Sequence, residues 1–83
     1  MQIELKKSAV KDLKAIPNAA KVHIHNTISE LVNFPNVRQV KKLTQFEPAY
    51  RQRIGDYRIL FDVEGDKILI GRVLHRQESY KTR

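Results

Sequence analysis

The 83-residue chain contains no cysteine and no tryptophan, and it has only three glycines. Without cysteine it has no disulfide bond, no thiolate nucleophile and no zinc site built from thiolates. The glycines stand apart at positions 55, 65 and 71, so they form no glycine-rich phosphate loop. No apolar run approaches the roughly 18–20 residues of a membrane-spanning helix, and no signal segment follows Met1. We therefore expect a cytoplasmic protein.

Acidic residues are also scarce, with 9 Asp+Glu against 16 Lys+Arg and a formal net charge of +7. The chain is 41% hydrophobic and 30% charged, which is the composition of a folded protein rather than a disordered one. Its length provides for one domain, which we expect to span residues 1–83. The excess of positive charge favours a polyanion or an acidic protein as the partner.

Two amphipathic helices are predicted in the first half of the chain. The first covers residues 8–16, with Ser8 as its N-cap, and it ends before Pro17. The second covers residues 19–33, with Asn18 as its N-cap. The connection between them is so short that we expect a helical hairpin.

Strands are predicted on both sides of this hairpin. Residues 2–5 alternate between polar and apolar side chains, which indicates a short strand, whereas residues 36–48 are predicted to be a connecting loop. The last three strands are predicted at residues 49–54, 57–64 and 67–75. Gly55 and Gly65 provide the turns between these strands. The order β-α-α-β-β-β predicts an α+β fold in which the hairpin packs on a small, mostly antiparallel sheet.

Strand alternation also predicts where the arginines lie. If the apolar alternate residues of strand 57–64 face the helices, then Arg51, Arg53 and Arg58 face away from them. On the last strand, strict alternation puts Arg72 and Arg76 on one face and His75 on the other. Guanidinium groups match phosphate oxygens well, but an exposed basic face also serves solubility alone.

The order of residues in the second half resembles the RelE/ParE superfamily of toxins. The string Tyr-Arg-Gln-Arg-Ile-Gly-Asp-Tyr-Arg-Ile-Leu-Phe at residues 50–61 is followed by Val-Leu-His-Arg at 73–76 and by Tyr80. Lys41-Lys42-Leu43 fits the lysine-leucine element that precedes the second strand of the family. The resemblance covers essentially the whole chain and implies the same fold.

The resemblance implies that the protein is the toxin of a type II toxin–antitoxin pair. RelE-type members cut messenger RNA in the ribosomal A site without a metal ion or cofactor. The family's functional positions carry over to Arg51, Arg53, Arg58, Arg76 and Tyr80. Further basic residues expected to bind RNA are Lys41, Lys42, Arg72, Lys81 and Arg83. The implied partners are a cognate antitoxin, the ribosome with its messenger, and operator DNA bound by the toxin–antitoxin complex.

The sequence does not identify which side chains would act as the general acid and the general base in such a reaction. Arginine stays protonated and cannot act as an ordinary base, so His75 and Tyr80 are the candidate acid–base residues. Glu47 lies in a predicted loop, and His23 and His25 lie on different faces of a helix, so these three are weaker candidates for a site. Two alternatives remain: a ParE-like inhibitor of DNA gyrase that cuts no RNA, and an inert nucleic-acid or antitoxin-binding module.

Overall fold

The computed structural model describes residues 1–43 and 49–75. The elements in chain order are β1 (Gln2–Leu5), α1 (Lys7–Lys14), α2 (Asn18–Glu30), β2 (Val40–Lys42), β3 (Tyr50–Ile54), β4 (Tyr57–Glu64) and β5 (Lys67–His75). A 3-10 turn at Leu31–Asn33 continues α2. Within these residues no helix is long and apolar enough to cross a membrane. The predicted α+β class is confirmed.

The strands form one mixed sheet in the order β1-β5-β4-β3-β2. β1 runs parallel to β5, and the other neighbouring pairs are antiparallel. Gly55 and Gly65 occupy the first turn positions of the β3–β4 and β4–β5 hairpins with φ of 56° and 59°. A positive φ at the first position, without a positive φ at the aspartate that follows, is the type II′ geometry. This conformation favours glycine because it has no Cβ. Both predicted turns are confirmed.

The two helices cover one face of the sheet and bury the hydrophobic core against it. The core residues are Ala9, Leu13, Ile16, Ile24, Ile28 and Leu31 from the helical layer, with Ile54, Ile59, Phe61, Ile68, Ile70 and Val73 from the sheet. Phe61 stacks on Tyr50 at a ring-centroid distance of 5.4 Å and meets the edge of Phe34 at 5.9 Å. The helices therefore cover one face of each strand, and the opposite face of the sheet is not packed against them.

Both helices start without the predicted side-chain caps. α1 begins at Lys7 after Lys6, and α2 begins at Asn18 after Pro17, and neither preceding residue makes a side-chain capping bond. Ser8 lies inside the first turn of α1, where its hydroxyl donates to the carbonyl oxygen of Gly71 at 2.6 Å. The predictions for Ser8 and Asn18 were therefore wrong, because Ser8 instead joins the helix to the sheet.

The prediction of a loop over residues 36–48 was wrong for Val40–Lys42. These three residues form β2, the edge strand that pairs with β3. The segment is too short for alternation to be recognised, and two of its three residues are exposed. Its strand conformation depends on hydrogen bonds to β3. Residues 44–48 lie outside the described residues.

A β-bulge interrupts the alternation of β5. Leu60 of β4 opposes Arg72, whereas the next residue, Phe61, opposes Ile70. Gly71 is therefore the extra residue on β5. Strict alternation would place Leu74 on the same face as Ile70, but Leu74 opposes Arg58 and so faces away from the helices.

The same bulge brings Val73 and His75 to the helix-covered face. Val73 opposes the buried Ile59, and His75 opposes Tyr57. Strict alternation from Ile70 therefore fails at Gly71, although Arg72 and His75 still start on opposite sides of the sheet.

Side chains of α1 form hydrogen bonds with the backbone groups of β5 that β1 leaves unpaired. β1 stops pairing at Leu5, which leaves the following backbone groups of β5 without a strand on that side. Ser8 bonds to the Gly71 carbonyl, and Asp12 Oδ2 accepts the backbone N–H of Val73 at 2.9 Å. Two side chains of α1 thus replace the missing ladder bonds.

Candidate functional site

Three of the predicted arginines lie on the sheet face that points away from the helices. Arg53 and Arg58 oppose each other across β3 and β4, and Arg51 opposes Leu60. Opposed residues of an antiparallel pair project to the same side, and the neighbouring Ile59 is buried on the helix side. We call the surface formed by Arg51, Arg53 and Arg58 the arginine face.

The two lysines of β2 point to opposite sides of the sheet. Lys41 opposes Arg51, so it extends the arginine face with another exposed cation. Lys42 opposes Tyr50, whose ring packs against Phe61 in the core, so Lys42 belongs to the other face. Of the two predicted RNA-binding lysines, only Lys41 lies beside the arginines.

Arg58 is buried, in contrast to the predicted solvent-facing position. Its exposed fraction is 6%, and its register partners are Arg53 on β3 and the buried Leu74 on β5. One terminal nitrogen donates to the carbonyl oxygen of Tyr57 at 3.3 Å. The Nε atom finds no acceptor among the described residues. A buried donor without a partner lowers stability, and an anion beside Arg53 would compensate the positive charge of both arginines.

The arginine face also places like charges in direct register. Arg53 and Arg58 are opposed partners, and directly opposed like charges destabilise an antiparallel pair. No Asp or Glu lies between them in that register, whereas elsewhere on β4 Glu64 opposes Lys67. This face is therefore suited to a polyanion, which would screen both guanidinium groups.

Arg72 does not belong to the arginine face. Its Nε and a terminal nitrogen donate to the two carboxylate oxygens of Asp12 at 2.7 and 3.1 Å. Arg72 opposes Leu60 and so starts on the same side of the sheet as Arg51, but β1 stops pairing at Ile70, and past this free edge of β5 the Arg72 side chain reaches α1. Its charge is paired there with Asp12, and its predicted role in RNA binding stays a prediction.

His75 lies on the helix-covered face, across the sheet from Arg58. Its ring meets the edge of the Tyr57 ring at a centroid distance of 5.4 Å. Together with residues of α1 such as Lys11, it lines a cleft of about 560 Å³. The structure therefore separates this acid–base candidate from the arginine face.

The remaining predicted site residues lie outside the described part of the chain. These residues are Arg76, Tyr80, Lys81 and Arg83, together with the weaker candidate Glu47. Within residues 1–43 and 49–75, no three His, Asp or Glu side chains come together as metal ligands. His23 and His25 are both exposed on α2.

Sequence reasoning missed Asp12, which accepts three hydrogen bonds from β5. The bonds join residues 60 and 61 positions apart, and no local pattern marks such a contact. An acidic residue on a helix otherwise rich in lysine was the only available signal.

The comparisons with known proteins agree with this architecture. Residues 3–80 match the family model of the ParE toxin of the type II toxin–antitoxin system parDE. The chain is 37% identical over 84 residues to toxin RelE3 of Methanocaldococcus jannaschii, and the match covers 96% of both proteins. The chain belongs to the RelE/ParE superfamily of type II toxins. The resemblance inferred from residues 50–61 and 73–80 is confirmed.

Solved structures of related toxins share the fold of this superfamily member. The RelB–RelE antitoxin–toxin complex from Methanococcus jannaschii contains a chain with a TM-score of 0.80 and 37% identity, covering 94% of this chain and 95% of that one. The RelBE2 toxin–antitoxin complex from Mycobacterium tuberculosis gives a TM-score of 0.77 and 26% identity, covering 90% and 96%. Both similar chains were solved within a toxin–antitoxin complex.

Proposed function

We propose that this toxin is a ribosome-dependent endoribonuclease that cuts messenger RNA in the ribosomal A site. The observation that carries the proposal is the buried guanidinium of Arg58, which has an unpartnered Nε and lies opposite Arg53. A phosphate bound at the exposed Arg53 would supply acceptor oxygens to that group and negative charge to both. A face that served only solubility would not bury a cation in this way.

The proposed reaction is an internal transfer at phosphorus. The 2′-oxygen loses its proton and bonds to phosphorus, the bond from phosphorus to the 5′-oxygen breaks, and the 5′-oxygen gains a proton. The products end in a 2′,3′-cyclic phosphate and a 5′-hydroxyl. Arg51, Arg53 and Arg58 would stabilise the negative charge that develops on the phosphorane, so this step needs no metal ion.

Proton transfer must come from a group other than these arginines, which stay protonated. Because His75 faces the helices, we assign this role to Tyr80 on the family resemblance, with Arg76 as a fourth guanidinium. Lys41 extends the basic surface along which the RNA backbone would run.

The ribosome would hold the RNA in the geometry that cleavage needs, which a domain of 83 residues cannot impose alone. Cleavage needs the 2′-oxygen, phosphorus and leaving oxygen in line, and imposing that geometry contributes several kcal/mol. A messenger held in the A site would already be constrained, so the toxin would add mainly charge and proton transfer. This target implies a cytoplasmic site of action. A cognate antitoxin would control it, and the pair together would bind operator DNA.

The proposal is tested by inducing the toxin in cells and mapping the 5′ ends of messenger RNA. We expect breaks inside open reading frames, in phase with codons, for the wild type and for Lys21→Ala. Lys21 is the control because its loss also removes one positive charge, and it lies on α2, on the other side of the sheet from the arginine face. Arg58→Ala should give no such breaks. Unphased breaks, or equal cleavage by both variants, would contradict the proposal.

A second candidate is inhibition of DNA gyrase without RNA cleavage. It is favoured by the family model, which describes a ParE toxin, and by the position of His75 away from the arginines. Gyrase-linked DNA breaks after induction, with intact messenger RNA, would decide for this candidate.

A further inference from the structure

The outer side of α1 carries a second basic cluster, which lies on the opposite side of the sheet from the arginine face. Lys7, Lys11 and Lys14 are spaced by four and seven residues, so they share one side of the helix, with Val10 between them. Leu5 at the end of β1 completes a shallow depression of about 330 Å³. We call the surface formed by these five residues the lysine groove.

The centre of the lysine groove is aliphatic and uncovered. Leu5 is 40% exposed and Val10 is 38% exposed, although both lie next to a well-packed core. Ala9 and Leu13, on the inner side of the same helix, are buried. The helix therefore has a second apolar contact surface that the domain itself leaves open.

The rim of the lysine groove carries uncompensated positive charge. The two acidic residues nearest in sequence are occupied elsewhere, since Glu4 pairs with Lys67 at 3.4 Å and Asp12 pairs with Arg72. Among the described residues, no acidic side chain forms an ion pair with Lys7, Lys11 or Lys14. A partner with carboxylates at helical spacing would match this rim.

The lysine groove is held in place before any partner arrives. α1 is fixed to β5 by the Ser8 hydrogen bond to Gly71 and by the Asp12 bonds to Arg72 and Val73. A surface on an anchored helix loses little conformational freedom on binding, so more of the contact energy contributes to affinity.

We propose that the lysine groove docks an acidic amphipathic helix of the antitoxin. Aliphatic side chains of that helix would cover Leu5 and Val10, and its carboxylates would pair with the three lysines. This inference rests on the proposed toxin–antitoxin pairing and adds the place and the chemistry of the contact. An RNA backbone would use the lysines but not the aliphatic centre, so the combination favours a helix over nucleic acid.

The first test compares two triple variants with the same change in net charge. Lys7→Gln/Lys11→Gln/Lys14→Gln removes the rim of the groove. Val22→Glu/Asn26→Glu/Ser29→Glu has the same spacing on the exposed side of α2 and also lowers the net charge by three. Gln and Glu both favour helices, which preserves the fold in each case. Circular dichroism verifies this.

Each variant is expressed with the protein product of the reading frame paired with the toxin gene. We expect the groove variant to remain toxic alone, but to need roughly tenfold more of that product for neutralisation, as the loss of three surface ion pairs implies. The α2 variant should be neutralised like the wild type. Val10→Glu, which leaves the lysines intact, should also weaken neutralisation. If that product neutralises the groove variant and Val10→Glu as well as it neutralises the wild type, the docking site is overturned.

The second test separates a helical peptide from nucleic acid. The probes are a synthetic acidic peptide of about 18 residues with leucines on one helical side and glutamates beside them, and a single-stranded RNA. Fluorescence anisotropy should show peptide affinity lowered about tenfold only in the groove variant, and RNA affinity lowered equally in both triple variants. RNA affinity lost only in the groove variant, with peptide affinity retained, would overturn the proposal.

The two tests also separate this inference from the proposed function. If the wild type cuts no messenger RNA but the groove variant still loses antitoxin and peptide binding, the docking site stands and the nuclease proposal fails. If phased cleavage is found and the groove variant binds antitoxin like the wild type, the nuclease proposal stands and the docking site fails.

Discussion

The two faces of the sheet differ in the side chains they carry and in how those side chains affect stability. On the helix-covered face, Ile59, Phe61 and Ile70 are fully buried among aliphatic and aromatic neighbours. On the arginine face, Arg53 opposes Arg58, and the buried Nε of Arg58 has no described partner. The first face accounts for the stability of the domain, whereas the opposed and buried cations of the second lower that stability.

Strand β4 belongs to both faces, and its neighbouring residues therefore have opposite roles. Ile59 and Phe61 project into the core, while Arg58 between Tyr57 and Ile59 projects to the other side. Substitutions only a few residues apart on one strand should separate folding from activity. The comparison can be tested there directly.

The largest effect is expected at the centre of the core. Phe61→Ala removes a fully buried ring that contacts both Tyr50 and Phe34. The cavity should lower the free energy of unfolding by about 3–5 kcal/mol, which is a large part of the stability of a small domain. Urea denaturation measures this loss. Phe61→Leu, which fills most of the space, should lose clearly less, and an equal loss would mean that the ring does not pack as described.

The next largest effect is expected at Arg58, where cleavage should be lost without a loss of stability. Arg58→Met keeps a long apolar stem but removes the buried cation, so cleavage should fall by about 100-fold or more. The free energy of unfolding should stay equal or rise by about 1 kcal/mol, because an unpartnered buried donor is lost. Phased messenger breaks and urea denaturation measure the two quantities. A loss of stability like that of Phe61→Ala would show that Arg58 is a core residue.

Sequence patterns predicted most of the helix-covered face. Branched aliphatic residues at regular spacing, such as Ile24 and Ile28, mark an inner side that packing then confirms. Gly55 and Gly65 marked the turns because their backbone conformation excludes most other residues. Alternation along β3 and β4 also placed Arg51, Arg53 and Arg58 together on one side. Local rules were sufficient for these features.

Features that depend on distant contacts escaped prediction. β2 needs β3 to become a strand, and Asp12 needs β5 to become an anchor. The bulge at Gly71 changes the face of every later residue in β5, since a shift of one residue reverses alternation. Burial of Arg58 arises only in the folded chain, and the alternation of a single strand does not encode it.

A moderate effect is expected where polar side chains support the helix-covered face. Asp12→Ala leaves the Val73 N–H without its acceptor and the half-exposed Arg72 without its carboxylate, so the free energy of unfolding should fall by about 1–3 kcal/mol. Asp12→Asn, which keeps an acceptor oxygen, should lose less. Ser8→Ala removes one bond and should cost about 0.5–1.5 kcal/mol. Urea denaturation checks this order, and a greater loss from Ser8→Ala than from Asp12→Ala would contradict it.

The smallest effect should reveal the repulsion on the arginine face itself. Arg53→Gln keeps the length and polarity of an exposed side chain but removes the charge opposite Arg58. The free energy of unfolding should rise by about 0.2–1 kcal/mol at low ionic strength, because directly opposed like charges destabilise a strand pair. Added salt screens exposed charges, so it should stabilise the wild type more than the variant and reduce the difference between them. Lys21→Gln is the control, since it removes one positive charge from α2, on the other side of the sheet, and leaves the Arg53–Arg58 pair intact. A difference between wild type and Arg53→Gln that does not change from low to high salt would show that packing, and not charge, sets the stability of this pair.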